Sequence, residues 1–438
     1  MLFGLLSTDA QAQFFNNGVQ RQIGGVSVDA DGVVRGAQVE DQAAVLSKLR
    51  ENLAGGKGAF AEKSKLRMIS LKAIQAAMVE AAKTGKPLAE EVLLLGGLTQ
   101  IEMVFVYPDK QDIVIAGPSE AWTIAKDGSI VGKDSGRAIV YLEDLVTAFQ
   151  SVDTARTEGI TCSIDPTPEG SQRLNALLDN VKTGPGFNPA SIEPAMREAF
   201  GLQVVSLTGL PKTSHMARII FAADYQMKRY GMNLAEPPVK GLPSYIEMIR
   251  SRSVSAPQSR WWMACDYDAV QHSQDGLAWK LSGRGIKTLT EAEVVANDGS
   301  RKQTGKKDAL AQKWADMFTD KMDELSTKDP IFGELQNVMD TCVVAAIVRG
   351  RDLEAKSGLD LSVLSGKTPS VTPSNLNTPS QIEPQCSFLK TSAGWVVTTS
   401  GGVSVDSWSV ASKTEVNDEL ASVRTSVERP ESDSWTWK

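Results

Sequence analysis

The chain has 438 residues, 42% of them hydrophobic and 23% charged, which excludes wholesale disorder and leaves room for about three compact units at ~150 residues each. Its net charge is -7, and no run of five or more Lys and Arg occurs, so no nucleic-acid partner is expected and an anionic membrane is a poor candidate. Four scattered cysteines, Cys162, Cys265, Cys342 and Cys386, form no CxxC-type metal or redox motif.

Met1–Leu6 is apolar, and Ala10-Gln11-Ala12 has the small-x-small form of a signal-peptidase site, with Gln13 as the first mature residue. The basic n-region is missing, so this reading places the printed start inside a longer signal peptide. The alternative is an ordinary apolar tail. Residues 1–13 are taken as the signal remnant, and an extracytoplasmic protein, periplasmic or secreted, is expected. No apolar run approaches the ~20 residues of a membrane span.

Residues 14–155 read as an N-terminal α+β unit. Val26–Asp29 and Val33–Arg35 flank an Asp31-Gly32 turn, and 39–52 carries helical spacing. Gly55-Gly56-Lys57-Gly58 is read as a flexible interhelix loop rather than an anion cradle. Ser70 caps a helix through Ala82. Period-two stretches follow at 101–107, 113–116, 122–124 and 130–131, then a helix at 142–149. Residues 156–306 read as a central mixed unit. It has strands at 160–164 and 204–207 and a long amphipathic helix at 214–230. Trp261-Trp262-Met263 starts further strands.

Residues 307–350 read as a helical hairpin, with Asp329-Pro330 opening its second helix and Gly350 just past its end. Residues 351–386 are a Ser/Thr/Pro-rich linker. Residues 387–438 are a C-terminal β element with a terminal helix over 415–427. One hexapeptide occurs twice, at Gly24–Asp29 and Gly401–Asp406. Two independent hairpins explain it; so do two like strands of one sheet. The fold class is α+β: mixed units with antiparallel hairpins, a helical hairpin and a C-terminal β element.

No residue set forces a reaction type. Gly366-Lys367-Thr368 ends like a phosphate loop, but Leu361 stands where its first glycine belongs. No GxSxG or HExxH is present. Two histidines, His215 and His272, rule out a three-imidazole zinc site, so no metal and no cofactor is expected. The sharpest catalytic candidate is Cys265 with His272, seven residues on, oriented by Asp266 or Asp268. Its plain alternative is a half-buried cysteine and a loop histidine. Ser214 beside His215 is weaker, because helix neighbours do not face each other.

On the 214–230 helix, Arg218 and Tyr225 are candidate anion-binding groups, with Asp224 four residues before Lys228 in ion-pair order. Trp261, Trp262 and Trp279 are candidate glycan-stacking rings. The plain reading of all six residues is a core helix and core aromatics.

Several segments together resemble an uncharacterised family of planctomycete proteins known only as a domain of unknown function. They include Gly24–Gly32, Ala217–Lys228, Lys240–Tyr245, Ser259–Trp262, Asp275–Trp279 and Ala311–Ala315. The resemblance implies export and carries no activity or catalytic residue. The expectation is a protein of undetermined chemistry, first of all an extracytoplasmic structural or binding protein with a protein or cell-envelope partner. The alternatives are a hydrolase assembled in space around Cys265 and His272, and a small-molecule or glycan binder around Arg218, Tyr225 and Trp261. Oligomeric state is not legible.

Overall fold

The computed structural model describes residues 26–28, 33–36, 53, 55–182, 187–252, 258–296, 298, 300–366, 377–384, 387–391, 394–398, 400–427 and 434–437. The expected signal remnant, the Asp31-Gly32 turn, the 39–52 helix and Cys386 lie outside them. The fold is α+β, with helices packed among mixed sheets, as expected.

The larger sheet has nine strands. In spatial order they are Val26–Val28, Val33–Gly36, Gln381–Ile382, Gln203–Thr208, Ile160–Pro166, Ser400–Val405, Gln258–Tyr267, Gly283–Val295 and Arg301–Gln303. The second copy of the hexapeptide lies at the centre, antiparallel to Ile160–Pro166 and parallel to Gln258–Tyr267. Both copies therefore supply strands to one sheet, with four strands between them. At the second copy the glycine pair has a steric reason. A Cβ on Gly402 would meet the Cys162 carbonyl at 2.6 Å, and one on Gly401 would meet Lys228 Cε at 2.8 Å.

The second sheet has seven strands: Thr414–Val416, Val270–His272, Ala278–Lys280, Met103–Tyr107, Asp112–Ser119, Ser64–Ser70 and Thr436–Trp437. Three of its inner strands come from the N-terminal third of the chain and two, Val270–His272 and Ala278–Lys280, from further along, while both edges come from the C-terminal segment. The predicted 415–427 helix is shorter than expected. Residues Thr414–Val416 are an edge strand, and the helix is Glu419–Ser426.

Five helices frame the core and the sheets. They are α1 (Leu71–Thr84), α2 (Leu142–Glu158), α3 (His215–Gly231), α4 (Ala309–Asp320) and α5 (Pro330–Gly350). Ser70 caps α1 by accepting from Ala73 N at 3.0 Å, and Ser214 caps α3 by accepting from Ala217 N at 3.1 Å. The first arm of the expected hairpin is two helices, because the chain breaks at Lys321 before Met322–Lys328. Gly350 is the last residue of α5 rather than the one beyond it. Its missing side chain makes room for Trp408, whose ring a Cβ would meet at 3.0 Å.

α5 bears on the expected absence of a membrane span. At 21 residues it is long and apolar enough to cross a membrane, yet its apolar stretch lies wholly inside the protein, as the core helix of a globular fold does. Glu334 and Asp340 interrupt its apolar run in sequence. The helix is the axis of the main apolar core, packing on α2, α3 and the short helix Ser407–Ser412. That core draws on Ile69, Ile164, Phe318, Val343 and Ala411 alike. Burying each large apolar side chain contributes roughly 1.5–3 kcal/mol. Within the Ser/Thr/Pro-rich stretch, Leu359, Leu361, Val363 and Leu364 are buried in the same core. Gln75 of α1 holds them there, donating to Asp360 O at 2.9 Å and accepting from Leu364 N at 3.2 Å.

Candidate functional site

Strand Gln258–Tyr267 is rich in aromatic and apolar residues, and it is flanked on both sides by paired strands. Its regular register with Gly283–Val295 slips between Asp266 and Tyr267, where Tyr267 pairs with Gly283. Such a bulge re-aims the side chains beside it. Gly283 has φ +120, and a Cβ there would meet the Asp266 carbonyl and Tyr267 Cα at 2.7 Å, so the bulge needs glycine. The parallel neighbour ends at Val405, and Asp406 then caps the helix Ser407–Ser412 by accepting from Ser409 N at 3.0 Å.

A pocket of about 270 Å³ opens at this shared carboxyl end. Adjacent parallel strands leave a crevice there, the place where open α/β sheets hold ligands. Cys265, Tyr267 and Asp268 line it from one strand end, and Lys287 from the next strand. Ser404, Asp406, Ser409 and Lys413 close it from the C-terminal segment. Both signs of charge are present.

Tyr267 ties the pocket to the core. Its hydroxyl donates to Asp340 Oδ1 of α5 at 2.5 Å. Asp340 is fully buried, and its Oδ2 has no hydrogen-bond partner among the described residues. Burial pushes its carboxyl up to about 7; the Tyr267 and Ile101 hydrogen bonds act against that, and Glu102 adds to it. Burial and the Asp340 charge hold the Tyr267 phenol well above its usual range.

Cys265 lines the pocket, but burial pushes its thiol up to about 12, only partly offset by the Asp406 backbone N–H. A nucleophilic cysteine needs the opposite shift. His272 belongs to the other large sheet, in register with Trp279. Its Nδ1–H donates to Ser273 O at 2.9 Å, and its ring lies 4.8 Å from that of Trp279. Asp266 pairs with Lys287 at 3.2 Å. Among the described residues no hydrogen bond joins Cys265, His272 and Asp266.

The α3 candidates lie in the core. Arg218 Nη1 donates to Asn377 O at 2.9 Å. Asp224 faces Lys228, with Nζ 3.3 Å from Oδ2, and Lys228 also donates to Ile164 O at 2.6 Å. Burial pushes the Asp224 carboxyl up, and the Lys228 charge opposes it. Tyr225 stacks on Phe221 at 6.0 Å and under the Arg229 guanidinium at 5.7 Å. Trp261 is 1% exposed and packs edge-on against Tyr245 and Trp314, so it offers no face to a sugar. Trp262 lies under the Arg260 guanidinium at 5.2 Å.

Two internal polar contacts escape sequence reasoning. His215 Nδ1 lies 3.0 and 3.1 Å from the two carboxylate oxygens of Asp144, 71 residues away, with both side chains buried. The Gly55–Gly58 loop does meet an anion, but an internal one. Gly55 N donates to Glu90 Oε1 at 3.2 Å, beside Trp122 Nε1 at 2.5 Å. Among the described residues no group of three His, Cys, Asp or Glu is placed to hold a metal ion.

Residues 162–245 contain a domain described as a protein of unknown function, DUF1598. The matched segment covers most of the strand Ile160–Pro166, the strand Gln203–Thr208 and α3, and it ends before the first residue of the pocket. No curated protein and no solved structure matches the chain.

Proposed function

We propose that the protein is a non-enzymatic binding protein that works outside the cytoplasm, and that the pocket between Cys265 and Lys413 is its binding site. The observation that carries this reading is the pocket itself. It collects charged and hydroxyl groups from three strands and a helix, around a thiol held in its unreactive form. Such concave sites with a few convergent polar groups are the default place for a ligand. The extracytoplasmic placement rests on the Ala10-Gln11-Ala12 pattern and on the resemblance to exported planctomycete proteins. A partner in the cell envelope is part of the same reading.

A thermal-shift screen of small polar compounds, run on wild type and on Cys265→Ser, tests the proposal. Binding without turnover in both proteins is expected. Turnover of any hit that vanishes in Cys265→Ser would overturn it in favour of thiol chemistry. Fractionation of the source cells tests the placement, and recovery of the mature chain only from cytosol would remove it.

A further inference from the structure

The charges that line the pocket are not equally free to meet a ligand. Lys287 is held by Asp266 at 3.2 Å. The Asp406 carboxylate is engaged by Ser409 N at 3.0 Å. That leaves one cation and one anion, Lys413 and Asp268, both exposed. Neither side chain has an ion-pair or hydrogen-bond partner among the described residues. The Ser404 hydroxyl, on the strand parallel to Gln258–Tyr267, likewise has no partner among them.

We infer that the pocket takes a small zwitterion of the α-amino-acid class, an inference that rests on the binding reading above. The ligand's carboxylate meets the Lys413 ammonium, and its ammonium meets the Asp268 carboxylate. Charge selects this class over its relatives. A plain anion would face both Asp268 and Asp406, and a plain cation would face both lysines. All four line a pocket small enough to keep them within a Debye length of ~8–10 Å, so screening does not remove either repulsion. A neutral polyol would satisfy the serine hydroxyls and leave both charges unanswered. Size agrees, since about 270 Å³ lies below the ~300–1,000 Å³ of sites for drug-sized molecules.

The test is calorimetric titration of the full chain with four probes: L-serine, N-acetyl-L-serine, L-serine methyl ester and glucose. L-serine is expected to bind saturably, with each blocked derivative at least roughly tenfold weaker, the scale of one lost charge-assisted contact. Lys413→Ala should abolish the preference for L-serine over its methyl ester while keeping the preference over the N-acetyl form. Asp268→Asn should do the reverse. Both positions are on the surface, so both variants retain the fold. L-serine without saturable heat, or bound no better than its derivatives, overturns the zwitterion. If glucose or a derivative binds in its place, the binding reading survives without it. If none of the four binds, neither stands for ligands of this size.

Discussion

Replacing Asp340 with asparagine isolates one buried charge. In the folded protein burial holds this carboxyl at about 7, whereas an unfolded aspartate titrates near ~3.9. The folded value is the raised one. The stability that Asp340 contributes is therefore complete below pH ~4 and is lost as pH rises through about 7. Each unit within that window costs about 1.4 kcal/mol, so raising the pH from 5 to 7 removes roughly 2–3 kcal/mol through this group alone. Tyr267 at 2.5 Å, the Ile101 backbone N–H, Glu102, Arg137 and Cys265 surround it, and none of them is altered by the substitution. The asparagine oxygen still accepts from the Tyr267 hydroxyl, and the amide does not titrate. Urea unfolding of wild type and Asp340→Asn at pH 5 and pH 8 reads the effect. The variant should gain about 3 kcal/mol on wild type between the two conditions. An unchanged difference at both pH values would show that burial does not govern this carboxyl.

Lys228→Met should destabilise by about 3–5 kcal/mol, because it leaves the buried Asp224 carboxyl without its ion-pair partner. The double variant with Asp224→Leu should recover most of that loss in thermal unfolding. Gly401→Ala should cost about 1–3 kcal/mol by overpacking, since its Cβ would meet Lys228 Cε and the Trp261 carbonyl at 2.8 Å. Cys265, with its thiol pushed up to about 12, should react with iodoacetamide at pH 7 on the order of a thousandfold more slowly than free cysteine. Mass-spectrometric labelling rates measure this directly.

Local patterns were readable in this chain and long-range ones were not. Ser70 and Ser214 announce their helices because a cap needs only a hydroxyl and the N–H three residues on. α5 showed both its ends through Asp329-Pro330 and Gly350, but Glu334 and Asp340 break its apolar run, so its burial on every side was not legible. The repeated hexapeptide gave a true hint that both ends join one sheet, but neither its register nor its neighbours follow from its letters. The pocket needed more than pattern. Tyr267 reaches Asp340 across 73 residues, and Ser404 stands beside Ala264 only because two distant strands run parallel. Cys265 drew notice as a nucleophile by its spacing to His272. The fold gives it a place in the site but buries its thiol and sends His272 to another sheet.

Binding of a small polar ligand at the carboxyl ends of Gln258–Tyr267 and Ser400–Val405 can be read without knowing the ligand's chemistry in advance. Amide hydrogen exchange does this, followed by mass spectrometry with and without a saturating hit from the compound screen. Protection is expected together over 264–268 and 404–413, two segments that both line this pocket. Protection confined to other segments, with these two unchanged, would contradict a binding site there.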